Sequence, residues 1–181
     1  MGTAADPYTS ITVTKDSITP SSYLVSGALP GIGLDSQNPG DMDVYMGSGS
    51  TISVKNSGSS STEVVKAVGI INTTAHTLNI NAAGPVVLTT QVVSDGSPSY
   101  DAVGVNNYSG ATTKINQPLQ ITVTSDNTDS SVARGTVTGL YNGGTWSGGD
   151  LTISATARNS GSGYTYATGI YNTGQGKFGN L

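Results

Sequence analysis

Any Ser-His-Asp chemistry in this chain would have to run through His76, its one histidine. That residue lies in Thr73-Thr74-Ala75-His76-Thr77, a polar stretch that reads as a solvated turn. No Gly-x-Ser-x-Gly elbow presents a nucleophile, and Gly47-Ser48-Gly49 and Gly161-Ser162-Gly163 are ordinary turn peptides. Paired carboxylates are the next candidates, because glycoside hydrolysis needs two of them a few ångströms apart. The densest acidic run holds Asp35, Asp41 and Asp43, with Asn38-Pro39-Gly40 between them, and nothing acidic recurs beneath it. The run also lacks the alternating order and closing Glu of a calcium loop. No catalytic residue, metal ligand or cofactor site is therefore assigned.

The aromatic side chains are more informative. Tyr141, Trp146, Tyr164, Tyr166 and Tyr171 crowd one stretch, whereas residues 46–99 hold none. Rows of exposed aromatics grip sugars and partner proteins, and these five are the candidate ligand-binding residues. The same rings could instead only cover a sheet face as neighbouring-strand pairs.

What must position them is a repeat. Four hexapeptides align: Ala67-Val68-Gly69-Ile70-Ile71-Asn72, Ala102-Val103-Gly104-Val105-Asn106-Asn107, Val137-Thr138-Gly139-Leu140-Tyr141-Asn142 and Ala167-Thr168-Gly169-Ile170-Tyr171-Asn172. Gly69, Gly104, Gly139 and Gly169 are separated by 35, 35 and 30 residues. A fixed period of roughly 20–50 residues marks stacked structural units. A worn first copy is expected with Asp43 in the glycine column. Each unit holds three short strands: the hexapeptide, then a segment such as Leu78–Ile80, then a longer alternating one such as Leu119–Thr124. In the last copy Thr145-Trp146 is the candidate second strand. Similarity is strongest between strands one period apart, so equivalent strands should pair copy to copy in parallel, about 4.8 Å apart. Three strands per turn about one axis make a parallel β-helix with a narrow filled channel.

The columns give specific expectations. Residues just before and just after each glycine should point inward; the glycines and residues 71, 106, 141 and 171 should point outward. Asn72, Asn107, Asn142 and Asn172 should line the inside or a corner, where stacked amides bond as a ladder. The apolar column Ala67, Ala102, Val137 and Ala167 does not fit this register. Lys66 and Asp101 should face each other on neighbouring coils. Asn72-Thr73-Thr74 and Asn107-Tyr108-Ser109 match the glycosylation sequon, but both asparagines belong to the ladder column.

Composition narrows the partners. The chain has 181 residues, 10% of them charged, with 7 basic, 11 acidic and a net charge of −4. The basic residues are scattered, which argues against nucleic acid and anionic membrane surfaces. There is no cysteine, so stability must come from stacking and hydrogen bonding. Recurring β-branched residues argue against a disordered low-complexity segment. No apolar stretch reaches membrane-spanning length. Met1–Asp6 lacks a basic start and an apolar run, so it reads as a cut edge and not as a signal peptide. The end at Leu181 falls just after a repeat begins, and a fragment of a longer array is expected. Residues 1–40, with a strand over Thr9–Thr14 and loops at Pro20, Pro30 and Asn38-Pro39, are expected to form an N-terminal cap or atypical first coil. Residues 41–181 should form about four to five coils.

Ala-Thr-Gly-Ile-Tyr-Asn repeats, followed by glycine-rich turns and Thr-Ile-Ser or Ile-Thr-Val strands, resemble the passenger regions of bacterial autotransporters and related giant surface adhesins. The resemblance covers about residues 41–181. It implies a right-handed parallel β-helix displayed at the outer membrane, outside the cell, serving attachment or cell–cell contact and virulence. Its partner would be a host or bacterial surface glycan or protein, with self-association a further expectation. Two other readings stand: a purely structural stalk displaying a distal domain, and a β-helical polysaccharide-active enzyme. A β-sandwich of antiparallel hairpins is the alternative fold.

Overall fold

The computed structural model describes residues 5, 8–17, 31–36, 40–58, 64–73, 75–95, 99–128 and 134–181. These residues contain β-strands and no helix, and every strand pairing among them is parallel. That excludes the hairpin sandwich, whose neighbouring strands would run antiparallel.

Three stacks build the molecule. The first joins β2 (Gly31–Ser36), β4 (Val64–Asn72), β7 (Ser99–Asn107), β10 (Arg134–Asn142) and β13 (Thr165–Asn172). The second begins with Met42–Met46, the first part of β3 (Met42–Gly58). It continues through β5 (Thr77–Ala82), β8 (Thr112–Ile115), β11 (Thr145–Ser147) and β14 (Gln175–Lys177). The third begins with β1 (Tyr8–Ser17) and Thr51–Gly58 of β3. It then runs through β6 (Val86–Ser94), β9 (Leu119–Asn127) and β12 (Leu151–Asn159). The chain visits the stacks in turn and so coils as a β-solenoid. β4–β6, β7–β9 and β10–β12 make three complete turns, with β2–β3 before them and β13–β14 after. The coil count is thus about three, slightly below the expected four to five.

Alternation along the third stack explains its strands. In β6 and β9 every second residue is buried, and Leu88, Ile121, Val86 and Leu119 fill the channel. Each fully buried aliphatic side chain contributes roughly 1.5–3 kcal/mol. Thr145-Trp146 does form the short second strand of its coil, and Trp146 sits in the column of Leu78 and Thr113.

The first stack corrects the expected register in two ways. Its leading copy is Gly31–Ser36, which pairs residue for residue with Ala67–Asn72 and puts Gly33 beside Gly69. Asp43 instead pairs with Asn79 in the second stack. The repeat therefore starts before residue 41, disguised because Ser36 replaces the column asparagine. Second, the glycines face inward and the residues before them outward. A Cβ on Gly69 would lie 2.5 Å from the Leu88 side chain and 2.6 Å from the Gly104 carbonyl oxygen. Val68 and Val103 belong with Ile71 and Ile32 to a separate apolar cluster outside the channel. Ala67, Ala102 and Val137 are the inward residues, at most 1% exposed, so the column that resisted the expected scheme is core. The glycine is a bend: pairing skips it in successive coils, and the inward face shifts by one residue there. Beyond it the expectation holds, with Ile70, Val105 and Leu140 inside.

Of the expected cap, Tyr8–Ser17 and Gly31–Ser36 are paired strands of the stacks. Residues 18–30 and 37–39, with the expected proline loops, lie outside the described residues.

Candidate functional site on the outer face of the first sheet

The asparagine column fixes the corner from which the candidate site is hung. Asn72, Asn107 and Asn142 are fully buried. Asn107 Nδ2 donates to Asn142 Oδ1 at 2.7 Å and to the Thr145 carbonyl at 2.9 Å; Asn142 Nδ2 donates to Asn172 Oδ1 at 2.6 Å. Between the earlier coils the ladder is relayed by a hydroxyl. Asn72 Nδ2 donates to Thr113 Oγ1 at 3.1 Å, and Thr113 Oγ1 donates to Asn107 Oδ1 at 2.8 Å. Each of these side chains also donates to a backbone carbonyl at the start of the second-stack strand one coil on, Thr112, Thr145 and Gln175 in turn, so the corner where the chain leaves the first sheet is held to the neighbouring coil. These amides are structural. Their burial also keeps Asn72 and Asn107 from serving as glycosylation acceptors in the folded chain.

With the corner fixed, the outward positions of the first sheet line up in three columns. One holds Lys66, Asp101, Thr136 and Tyr166; the second holds Val68, Val103, Thr138 and Thr168; the third holds Ile71, Asn106, Tyr141 and Tyr171. In the first column Lys66 Nζ lies 3.1 Å from Asp101 Oδ2, as the repeat spacing predicts. Thr136 Oγ1 donates to Asp101 Oδ1 at 2.6 Å, so both carboxylate oxygens are engaged. In the third column the Tyr141 and Tyr171 rings stack with centroids 5.3 Å apart and planes 15° apart, again as expected. Tyr108, just past the asparagine column, extends the row: its ring lies 6.3 Å from that of Tyr141, tilted by 51°.

A shallow depression of about 310 Å³ opens on this face, lined by Lys66, Asp101, Asn106, Tyr108, Thr138 and Tyr141, with Val103 as an apolar wall. Of the five aromatic candidates, Tyr141 borders it, Tyr171 stacks behind Tyr141, and Tyr164 and Tyr166 stand exposed beyond. Trp146 does not join them. It is 2% exposed, inside the channel, with its ring 6.4 Å from Phe178. The alternation of β11 turns it inward, so it is a core residue and not part of an outer binding row.

Sequence reasoning missed Tyr108 and expected Thr138 to point inward, while Asn106 was placed on the outer face but not assigned to a site. Tyr108 sits two positions later in its repeat than Tyr141 does, and only the turn at the corner folds it back into the same row. Thr138, which precedes its glycine, becomes legible only once the bend there is known.

The other chemical candidates fall elsewhere. His76 is half-buried in the turn between β4 and β5, where its backbone carbonyl accepts the Thr112 N–H. Asp41 Oδ1 accepts the Thr77 N–H and Asp43 Oδ1 accepts Asn79 Nδ2, so these carboxylates bond the first coil to the second. Among the described residues no group of three or more His, Cys, Asp and Glu side chains gathers. None of the helix type needed to cross a membrane occurs among them.

Comparison of the chain with family models, with curated proteins and with solved structures returns no match. What the chain is similar to therefore rests on its repeat style and its fold.

Proposed function

We propose that this chain is a non-catalytic, adhesin-type surface protein of the autotransporter-passenger kind, which attaches to a surface glycan or protein through the outer face of its first sheet. The observation that carries the reading is the row Tyr108–Tyr141–Tyr171. A solenoid needs only small polar residues on an outward sheet surface, yet here two rings stack and a third tilts against them beside a depression holding a fixed ion pair. Aromatic side chains give large contact area at low entropic cost and are enriched where proteins bind partners. The parallel β-solenoid suits a display role, because it projects one face repeatedly along an extended axis. The setting proposed with it is the bacterial cell surface.

A structural stalk is the second reading, favoured by the unbroken register from β4 to β13. The two separate in one experiment. The purified chain is applied to a glycan array and to whole cells, beside the Tyr108→Ala/Tyr141→Ala/Tyr171→Ala variant, with folding checked by circular dichroism. The attachment reading expects saturable binding that falls at least tenfold in the variant, a loss of about 1.4 kcal/mol or more for the row as a whole. Absence of binding by the unaltered chain contradicts it and leaves the stalk.

A further inference from the structure

Asn106 is the residue that neither the fold nor the tyrosine row explains. It is 7% exposed, and its Oδ1 is buried with no hydrogen-bond partner. The same column holds Ile71 one coil earlier and Tyr141 one coil later, so the solenoid does not require an amide there. A buried carbonyl oxygen without a donor is costly, and native structures keep few of them. One that borders a depression marks the place where a donor arrives from outside. Asn106 lines the depression, and the broad terminal torsion of asparagine leaves its amide free to rotate and present the oxygen there.

The surrounding groups define that donor. Lys66 and Asp101 neutralise each other at 3.1 Å, so the depression carries no net charge to select an anion or a cation. The Asp101 carboxylate is held by Lys66 and Thr136 and still has lone pairs to accept further bonds, while the Lys66 ammonium retains donors beyond the one it uses. The tilted rings of Tyr108 and Tyr141 line the same depression and supply apolar surface. A hydroxyl-rich, uncharged ring with one apolar face matches this set: hydroxyls for Asn106 and for the ion pair, ring C–H groups for the tyrosines. The volume of about 310 Å³ is at the small end of ligand pockets, which run roughly 300–1,000 Å³, and fits one sugar unit.

We infer that this depression is a subsite for a single neutral hexopyranose of a surface glycan, with one sugar hydroxyl donating to Asn106 Oδ1, a second bridging Lys66 and Asp101, and the ring lying against Tyr141. The inference rests on the attachment reading and gives it a ligand class.

The test is an NMR titration of the whole chain with methyl glucoside, methyl galactoside and methyl mannoside, and with glucuronate and glucosamine as charged probes. The expected result is saturable shifts from at least one neutral glycoside, centred on Asn106, Tyr108 and Tyr141, with the charged probes weaker. Asn106→Ile installs the residue that already occupies this column at Ile71. It should keep the melting temperature and weaken the glycoside about tenfold or more, whereas Gln120→Ala on the third sheet should leave binding unchanged. No shift with any neutral glycoside overturns the inference, as does binding that survives Asn106→Ile. If cells or proteins still bind the chain while the glycosides do not, the sugar subsite alone is wrong. If nothing binds, the attachment reading falls with it.

Discussion

At the residue scale, the fold is held by what the repeat positions exclude as much as by what they bury. A Cβ on Gly33 would lie 2.7 Å from the Gly69 carbonyl oxygen, and one on Gly139 would lie 2.6 Å from that of Gly169. Gly104 is hemmed in likewise by the Gly139 carbonyl and the Ile121 side chain. Each glycine thus leaves room for the backbone of the next coil. Gly169 meets nothing within 4 Å. Gly104→Ala should therefore lower stability by about 2–3 kcal/mol, the scale of overpacking in a filled core, and Gly169→Ala should be close to neutral. Urea denaturation of the two variants checks the contrast; equal effects would mean the glycines serve some other purpose. Asn107→Ala should cost about 2–4 kcal/mol in the same assay, because it leaves the Thr113 hydroxyl and the Thr145 carbonyl without their partner.

At the scale of elements, β7 and β10 are joined by a tyrosine that replaces a side chain missing from the next coil. Tyr100 points inward, is 1% exposed, and its ring occupies the space a Cβ on Gly135 would need. Its hydroxyl donates to the Arg158 carbonyl at 3.3 Å, which ties β7 to the end of β12. Burial, and secondly the Asp126 carboxylate, raise its pKa above the ordinary 10.0. The sign follows from the neutral form being the one the fold accepts. The unfolded chain ionises near pH 10 and the folded chain only at higher pH, so the stability contributed is complete below about pH 10. It is lost as the pH rises from there through the folded value. Thermal melts from pH 8 to pH 11.5 should show a drop above pH 10 that is smaller in Tyr100→Phe; an identical drop would assign it to other groups.

The strands themselves were legible, because Leu119–Thr124 and Leu151–Thr156 alternate strictly and each has one neighbour a period away. The outer tyrosine stack and the Lys66–Asp101 pair were legible too, since both follow from spacing alone. The inward or outward sense of residues before the glycine was not. Strict alternation fails at a bend, and a glycine that faces inward leaves no side chain to report it. Trp146 was misplaced for a related reason: three residues of β11 are too few to show a period.

At the scale of the whole molecule, one register governs both stability and the candidate site. The asparagine ladder, the glycine bend and the aromatic row are columns of the same parallel stack, and a slip of one residue would turn each to the opposite face. The site therefore does not exist in any single coil: Lys66 comes from β4, Asp101 and Asn106 from β7, Tyr141 from β10. Its integrity depends on coil stacking, and an attachment surface of this kind should be lost together with the fold in one transition.

The chain has no cysteine, which permits a direct test of that register. Thr89 and Thr122 are outward partners on β6 and β9, in adjacent coils of the third stack and away from the candidate site. Parallel partners lie about 4.8 Å apart, inside the range that a disulfide can bridge. A Thr89→Cys/Thr122→Cys variant should cross-link nearly completely on mild oxidation, read as a mobility shift and confirmed by mass spectrometry of the linked peptides. A Thr89→Cys/Asp126→Cys variant, four residues out of register and roughly 13 Å away, should not. Failure of the first pair to close, or closure of the second, would contradict the stacking on which both the fold and the site depend.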